Sequence, residues 1–364
     1  MLVFYVYSIW SEYLHMDLFG GQEGMVWEVV NRLAYAMERR DAVLKGHNAS
    51  FAGNSGGEFT YRITSENGVG EVRHRCVIPG IELMFNDYWM ENYTSNVSGT
   101  GASLVLDYCR EGRLEFRTKD GRSGFFESGD VSLDRRDSHA GLYEFPLKRY
   151  SGISIGIDLK SISCDFPEVA RSLPVDAARL QERLTNPGAR TIIKGNTSLQ
   201  RILDGFYDVP ENISQAYFLI KVQEVLVYLE TVDVAESSDK RKYFSRAHVE
   251  KVKAMHAFMV ADLSRHYTIR ELADTFELSL SALKSCFKGV YGDSVYSYMR
   301  SYRVNRAAEM ISENPGLSIS SVAAAVGYAN PSKFSDAFRG VMGCLPSEYR
   351  VEMKHSKERR SVWS

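Results

Sequence analysis

Two stretches in the C-terminal third of the chain repeat each other, and this repeat constrains the fold more than any other feature. Ile269, Leu272, Ala273 and Phe276 recur as Ile319, Val322, Ala323 and Val326, an offset of 50 residues. Leu283, Phe287 and Gly292 recur as Phe334, Phe338 and Gly343, an offset of 51. Apolar residues three and four apart mark one face of a helix. Each copy therefore reads as a short helix, a tight turn, and a second helix ended by glycine. The one-residue difference falls in the turn, where an insertion is best tolerated. Small Ala273 and Ala323 let the first helix of each copy approach the second. Ser279 is expected to cap the second helix of copy one. In copy two Gly327 supplies permissive turn backbone, Asn330 the cap, and Pro331 the first helical position. This is the construction of a helix-turn-helix.

Each second helix carries a polar outer stripe. In copy one Ser281, Lys284, Ser285 and Lys288 face out, behind an inner face of Leu280, Leu283 and Phe287. In copy two Ser332, Lys333, Ser335, Asp336 and Arg339 face out, behind Phe334, Ala337 and Phe338. Between the copies, residues 294–313 read as one helix, stopped at Asn314-Pro315-Gly316. Such a helix rises roughly 30 Å at about 1.5 Å per residue, close to the ~34 Å turn of B-DNA. Two readers held that far apart reach successive major grooves on one face of a duplex. From Asp239 onward the chain holds 20 Lys and Arg against 13 Asp and Glu, while residues 1–238 hold 24 against 33. A basic segment that coincides with a nucleic-acid fold points to a polyanion partner.

The rest of the chain has a different texture. Residues 77–85, 103–108 and 150–158 read as strands, and Glu111-Gly112 reads as a tight turn that returns residues 113–117 as a hairpin partner. Asp120-Gly121 and residues 128–130 mark further turns, and a helix is expected over 24–40. Short strands with frequent turns predict a β-sandwich or small barrel over residues 1–166. Residues 167–235 change to helical periodicity, with helices expected at 167–171, 175–184, 196–206 and 214–231. The last, capped by Ser214, is apolar on two sides and is a candidate contact for a second copy. Residues 236–245 read as a polar linker, 246–352 as the two-reader domain and 353–364 as a polar tail. The fold class expected is α+β.

Several chemistries are not expected. Five cysteines without a CxxC spacing predict free thiols in a reducing cytoplasm. The apolar first ten residues lack a basic flank, so neither a signal peptide nor a membrane span is expected. There is no GxxxxGK[ST] phosphate loop. His15, His47, His74 and His139 form no HxH or HxxxH pair, so no metal, cofactor or catalytic residue is expected. Phe85, Tyr88, Tyr108, Phe116 and Tyr143 are candidates for lining an apolar effector pocket, ordinary core packing being the alternative for each.

The C-terminal residues resemble the AraC/XylS transcriptional regulators. The similarity is carried by Ser279-Leu-Ser-Ala-Leu-Lys-Ser-Cys-Phe287, by Tyr298-Met-Arg-Ser-Tyr-Arg303, by Val326-Gly-Tyr-Ala-Asn-Pro-Ser-Lys-Phe334 and by Gly343-Cys-Leu-Pro346-Ser-Glu-Tyr-Arg350. Two residues depart from the pattern: Glu277 stands where the first turn usually has glycine, and Asp336 where the second reader often has arginine. The resemblance implies an effector-gated activator, acting as a homodimer on double-stranded promoter DNA with RNA polymerase as a partner. By the same resemblance Ser281, Lys284, Ser285, Ser332, Ser335 and Asp336 reach bases, a cap or salt bridge within the protein being the alternative for Asp336, and Lys288, Arg303, Lys333 and Arg339 reach phosphates. The glycine-rich N-terminal part, with Phe125-Phe-Glu-Ser-Gly-Asp130, resembles the cupin-like sensor domains of that family. Asp107-Tyr-Cys-Arg-Glu-Gly112, Glu144-Phe-Pro-Leu-Lys-Arg-Tyr-Ser-Gly152 and Gly327-Tyr-Ala-Asn-Pro-Ser-Lys-Phe334, in that order, are similar to the branch that includes the pyochelin regulator, which implies a ferric siderophore or another small apolar metabolite as effector. The alternatives are control by a partner protein or by oligomerisation and, remotely, a cupin enzyme fused to a DNA reader.

Overall fold

The computed structural model describes residues 49–361, except residues 56, 96–97, 119, 139–140, 166, 186–189, 211–212 and 234–242. The helix expected over 24–40, and His15, His47 and His139, lie outside the described residues.

Strands come first: β1 (Ala49–Ser55), β2 (Glu58–Ser65), β3 (Gly68–Ile78), β4 (Ile81–Met90), β5 (Asn92–Ser95), β6 (Ser98–Arg117), β7 (Ser123–Glu127), β8 (Val131–Ser138), β9 (Gly141–Glu144), β10 (Tyr150–Asp158) and, after two helices, β11 (Thr191–Ile193). They form an antiparallel sheet in the order β1-β2-β3-β4-β10-β6-β8-β11, with β7 and β9 joined to β6, and β5 joined to β9. Side chains alternate between the faces of a strand. On β4, Ile81, Leu83 and Phe85 enter one core, and Tyr88 and Met90 enter another.

The first core is closed by α1 (Pro167–Ser172), α2 (Ala177–Leu184), α3 (Thr197–Asp204) and α4 (Ser214–Leu229). Val169, Leu180, Leu203, Phe218 and Val222 from these helices pack on Leu83, Leu106 and Ile155 of the sheet. The second core lies on the other face, where the sheet curls over a stack of Tyr88, Tyr93, Phe145 and Tyr150. Asp176 and Asn196 cap α2 and α3 by accepting from backbone N–H groups. Ile213, not Ser214, occupies the cap position of α4 and makes no side-chain cap bond.

Two sequence expectations change here. The single strand over 77–85 is broken at Pro79-Gly80, where Gly80 has φ 82° and the chain reverses from β3 into β4. Gly112 does not turn the chain back either. Strand β6 runs straight through it, with φ 89°, and Gly112 sits so close to Arg149 that a Cβ would lie 2.0 Å from its carbonyl oxygen. The register slips between Ser151 and Gly152 at this point. Beyond it, β6 pairs with β7, from Arg113↔Glu127 to Arg117↔Ser123. A left-handed glycine serves a bulge as readily as a turn.

The C-terminal part is all helical: α5 (Arg246–Ala261), α6 (Ile269–Thr275), α7 (Leu280–Tyr291), α8 (Val295–Glu313), α9 (Ile319–Ala325), α10 (Pro331–Met342) and α11 (Pro346–Ser361). The expected polar tail is helical as far as Ser361. Two cores sit side by side. Val249, Met255, Leu272, Leu283 and Phe287 form one, and Val322, Phe334 and Phe338 belong to the other. Helix α8 contributes to both, with Val295 and Met299 in the first and Val304, Ala307 and Ile311 in the second. No helix among the described residues is long and apolar enough to cross a membrane.

Candidate nucleic-acid interface

The sequence repeat is a structural repeat. Helices α6 and α9 begin and end at an offset of 50 residues, α7 and α10 at an offset of 51. In each unit the first helix is capped by a hydroxyl, from Thr268 or Ser318, and Thr268 forms a reciprocal capping box with Glu271. The turns superpose in their bonding. Leu278 N–H donates to Ala273 O at 2.9 Å, and Tyr328 N–H donates to Ala323 O at 2.9 Å. Both chains reverse through a left-handed residue, Glu277 at φ 50° and Gly327 at φ 86°. The extra residue of the second unit therefore lies after the reversal and before the cap. Ser279 and Asn330 then cap α7 and α10, Pro331 opens α10, and left-handed Gly292 and Gly343 end the two helices.

Ser281, Lys284 and Lys288 are exposed along one face of α7, and Ser285 on that face is half-buried. On α10, Ser332, Lys333, Asp336 and Arg339 are exposed. Ser335 is half-buried and donates its hydroxyl proton to Pro331 O at 3.0 Å, leaving its lone pairs to accept. Arg303 is placed differently from the other expected phosphate contacts. It is buried at 8% exposure, its Nε donates to Leu263 O at 3.1 Å, and its Nη2 donates to Arg265 O at 2.8 Å. Burial pulls its pKa down from the ordinary arginine value. Two of the five N–H donors of this guanidinium are thus directed into the protein. His266 Nε2 also bonds Gly327 O, at 2.7 Å. The loop after α5 is thus tied to both α8 and the second turn.

The five aromatic candidates for an effector pocket do not converge. Phe85 and Tyr108 lie in the core under the helices, and Tyr108 donates to Asp204 at 2.9 Å. Tyr88 lies in the core on the opposite face, with half-buried Tyr143 and Phe116 packed against it. Among the described residues no group of three His, Cys, Asp or Glu side chains is arranged to hold a metal.

Sequence reading missed a contact between the β-domain and the first reader. Phe244, at the end of the expected linker, forms an antiparallel bridge with Ser123, its N–H donating to Ser123 O at 3.0 Å and its carbonyl accepting from Ser123 N–H at 2.9 Å. Phe125 of β7 enters the core of the first reader, and Leu147 packs against it. Lys253 Nζ on α5 lies 2.7 Å from Glu115 and 2.9 Å from Glu144. Those carboxylates raise the lysine's pKa against the opposing effect of its burial. Nearby His256, stacked on Tyr291 at 4.6 Å, has its pKa lowered to about 4, first by burial and then by Lys148. The signal in the sequence was the pair Tyr243-Phe244, two aromatics closing an otherwise polar run.

Residues 272–352 match the helix-turn-helix domain family. The chain is 36% identical over 89 residues to an AraC-like transcription regulator of Streptomyces lividans, covering 24% of this chain and 29% of that protein. It is 32% identical over 88 residues to the RCS-specific HTH-type transcriptional activator RclR of Escherichia coli, covering 24% and 31%. Among solved structures, the C-terminal domain of AraT, a response regulator from Geobacillus stearothermophilus, is similar at 27% identity over 28% of this chain and 84% of that one, with a TM-score of 0.27. The match spans about three-tenths of the length of these curated relatives. The C-terminal part of the chain is a helix-turn-helix domain. Its sequence relatives are AraC-like transcription regulators.

Proposed function

We propose that this chain is an AraC-type transcription regulator that reads two successive major grooves of double-stranded promoter DNA, one with α7 and one with α10. The observation that carries this reading is the pair of equivalent readers at the two ends of α8. That helix has 19 residues, a rise of roughly 28 Å at 1.5 Å per residue. Ser281, Lys284 and Ser285 face bases in one groove, and Ser332, Ser335 and Asp336 in the next. Asp336 is suited to accept from a cytosine amino group. Lys288, Lys333 and Arg339 face phosphates, which supply affinity and register. Arg303 acts as a brace that holds the two readers at a set distance.

A binding titration against the gene's own upstream region, at several salt concentrations, tests these roles. Lys333→Ala and Arg339→Ala are each expected to weaken all sequences alike and to reduce the salt slope by about one. Lys284→Ala is expected to relax preference at one base pair. Unchanged affinity in all three removes the residue assignments.

In this reading the β-domain is the cupin-like sensor, the protein is an activator working with RNA polymerase as a homodimer, and a small effector sets its activity. The effector class drawn from the sequence resemblance is a ferric siderophore. Ferric siderophores are expected to raise the melting temperature of the purified protein, and a shift with sugars or aromatic acids instead removes this assignment. One observation favours control by a partner or by oligomerisation as the second reading. Tyr88 stacks on Tyr93 and on Phe145 at 5.1 Å each, so these rings fill the space expected of a pocket. Two of the three segments carrying the siderophore resemblance also pack on each other at the Gly112 bulge, where Arg149 reaches Glu111 at 3.3 Å. That gives them a structural use.

A further inference from the structure

The contact between the β-domain and the first reader falls on the helix that is meant to meet DNA. Positions 281, 284, 285 and 288 share one face of α7, by the three- and four-residue spacing of a helix. The C-terminal half of that face is flanked by the β-domain, with Ser285 half-buried and Lys288 exposed at the rim. Ser285, Lys288 and Gly289 line a cleft of about 280 Å³ whose opposite side is Phe116, Glu127 and Tyr243. Arg113 of β6 reaches across, its Nε donating to Gly289 O at 2.9 Å and its Nη1 lying 2.6 Å from Glu127. A guanidinium at the carbonyl end of a helix is favoured by the helix dipole. The ring of Phe244 presses on Gly289 so closely that a Cβ there would lie 2.2 Å from it.

A helix about 10–12 Å across fills a major groove about 12 Å wide. No space is left for protein beside its outward flank. The cleft is the size of a small-molecule site, well short of what a duplex backbone needs. The β-domain side of it carries Glu127 held between Arg113 at 2.6 Å and Lys194 at 2.9 Å, so what bars a duplex there is bulk and not charge.

We propose that the β-domain is a lid on the first reader. It shields the outward C-terminal half of α7, and that reader enters a groove only after the Arg113–Gly289 contact and the Lys253–Glu115–Glu144 clasp have opened. The second reader lies outside the clasp, since the lid contacts above fall on α5, α7 and Phe244. Regulation then amounts to moving the chain from one engaged reader to two. This inference rests on the DNA-binding reading above.

A reversible staple tests the lid. Ser123 and Phe244 exchange both backbone hydrogen bonds, which sets their Cα atoms about 5.5 Å apart, within the range of a disulfide. The full-length Ser123→Cys/Phe244→Cys protein is to be titrated with mixed-sequence duplex DNA, oxidised and then reduced, with each single-cysteine variant as control. The oxidised form is expected to bind about tenfold more weakly and with a shallower salt slope than the reduced form. The single variants are expected to be indifferent to oxidation. Glu144→Gln, which loosens the clasp without a new covalent bond, is expected to bind more tightly than the parent. Equal binding by oxidised and reduced forms, or no tightening by Glu144→Gln, would overturn the lid while leaving the DNA reading intact. Absence of binding in every form, the parent included, would overturn the DNA reading and the lid with it.

Discussion

Gly327→Ala is expected to destabilise the second reader by about 2–5 kcal/mol, from left-handed strain of about 1–2 kcal/mol and overpacking of about 1–3 kcal/mol. Gly327 has φ 86°, and a Cβ built on it would lie 2.4 Å from Leu263 O and 3.2 Å from His266 Nε2. The first of those neighbours is backbone, so the clash is relieved only by moving the loop between α5 and α6. The opposite experiment exists in the same molecule. Glu277 holds the equivalent position at φ 50°. Its side chain is 85% exposed and meets Lys251, whose Nζ donates to Glu277 O at 3.3 Å and Oε2 at 3.2 Å. A contact that exposed is worth a few tenths of a kcal/mol. Glu277→Gly is therefore expected to stabilise the first reader by about 0.5–1 kcal/mol, after the entropy of the added glycine is taken off. Denaturant unfolding followed by helical circular dichroism measures both. A destabilising Glu277→Gly would mean that the two turns are not equivalent, despite their matching hydrogen bonds.

That pair of residues shows what kind of information the sequence carries openly. Helix caps and turn residues act on neighbours two to four positions away, so Ser279, Asn330, Pro331 and Gly327 were legible one by one. The change of offset from 50 to 51 located the extra residue in the turn, and the structure places it between the reversal and the cap. Features that depend on distant partners were not legible. Gly112 reads equally well as a turn or a bulge, and the choice is made by Arg149 of the neighbouring strand. Arg303 reads as a surface cation on a polar helix, and only the carbonyls of Leu263 and Arg265 draw it inward. The aromatic candidates are a different case. Phe85 and Tyr88 are three apart on one strand, and the two-residue period already sends them to opposite faces. The clasp between β-domain and reader joins residues more than a hundred positions apart, such as Lys253 and Glu144. Nothing in the local pattern of either segment encodes it.

Arg303→Met is expected to lower stability by about 3–6 kcal/mol, because hydrogen bonds to a charged group are worth about 1.5–3 kcal/mol each and two are lost. Methionine keeps an apolar stem of similar length, so packing is largely preserved and the loss isolates the polar contacts. The two carbonyls left behind belong to the loop beside Leu263, which packs against the cores of both readers. The loss is therefore expected to loosen the spacing between readers as well as to lower the melting point. DNA binding separates this role from the one the sequence resemblance implies. A brace that touches no phosphate leaves the salt slope unchanged while affinity for paired half-sites falls. A phosphate contact reduces the slope by about one and leaves stability close to the parent's. Unfolding and salt titration of the same preparation decide between them. A reduced slope with unchanged stability would return Arg303 to the DNA surface and leave His266 and the shared helix α8 to hold the readers together.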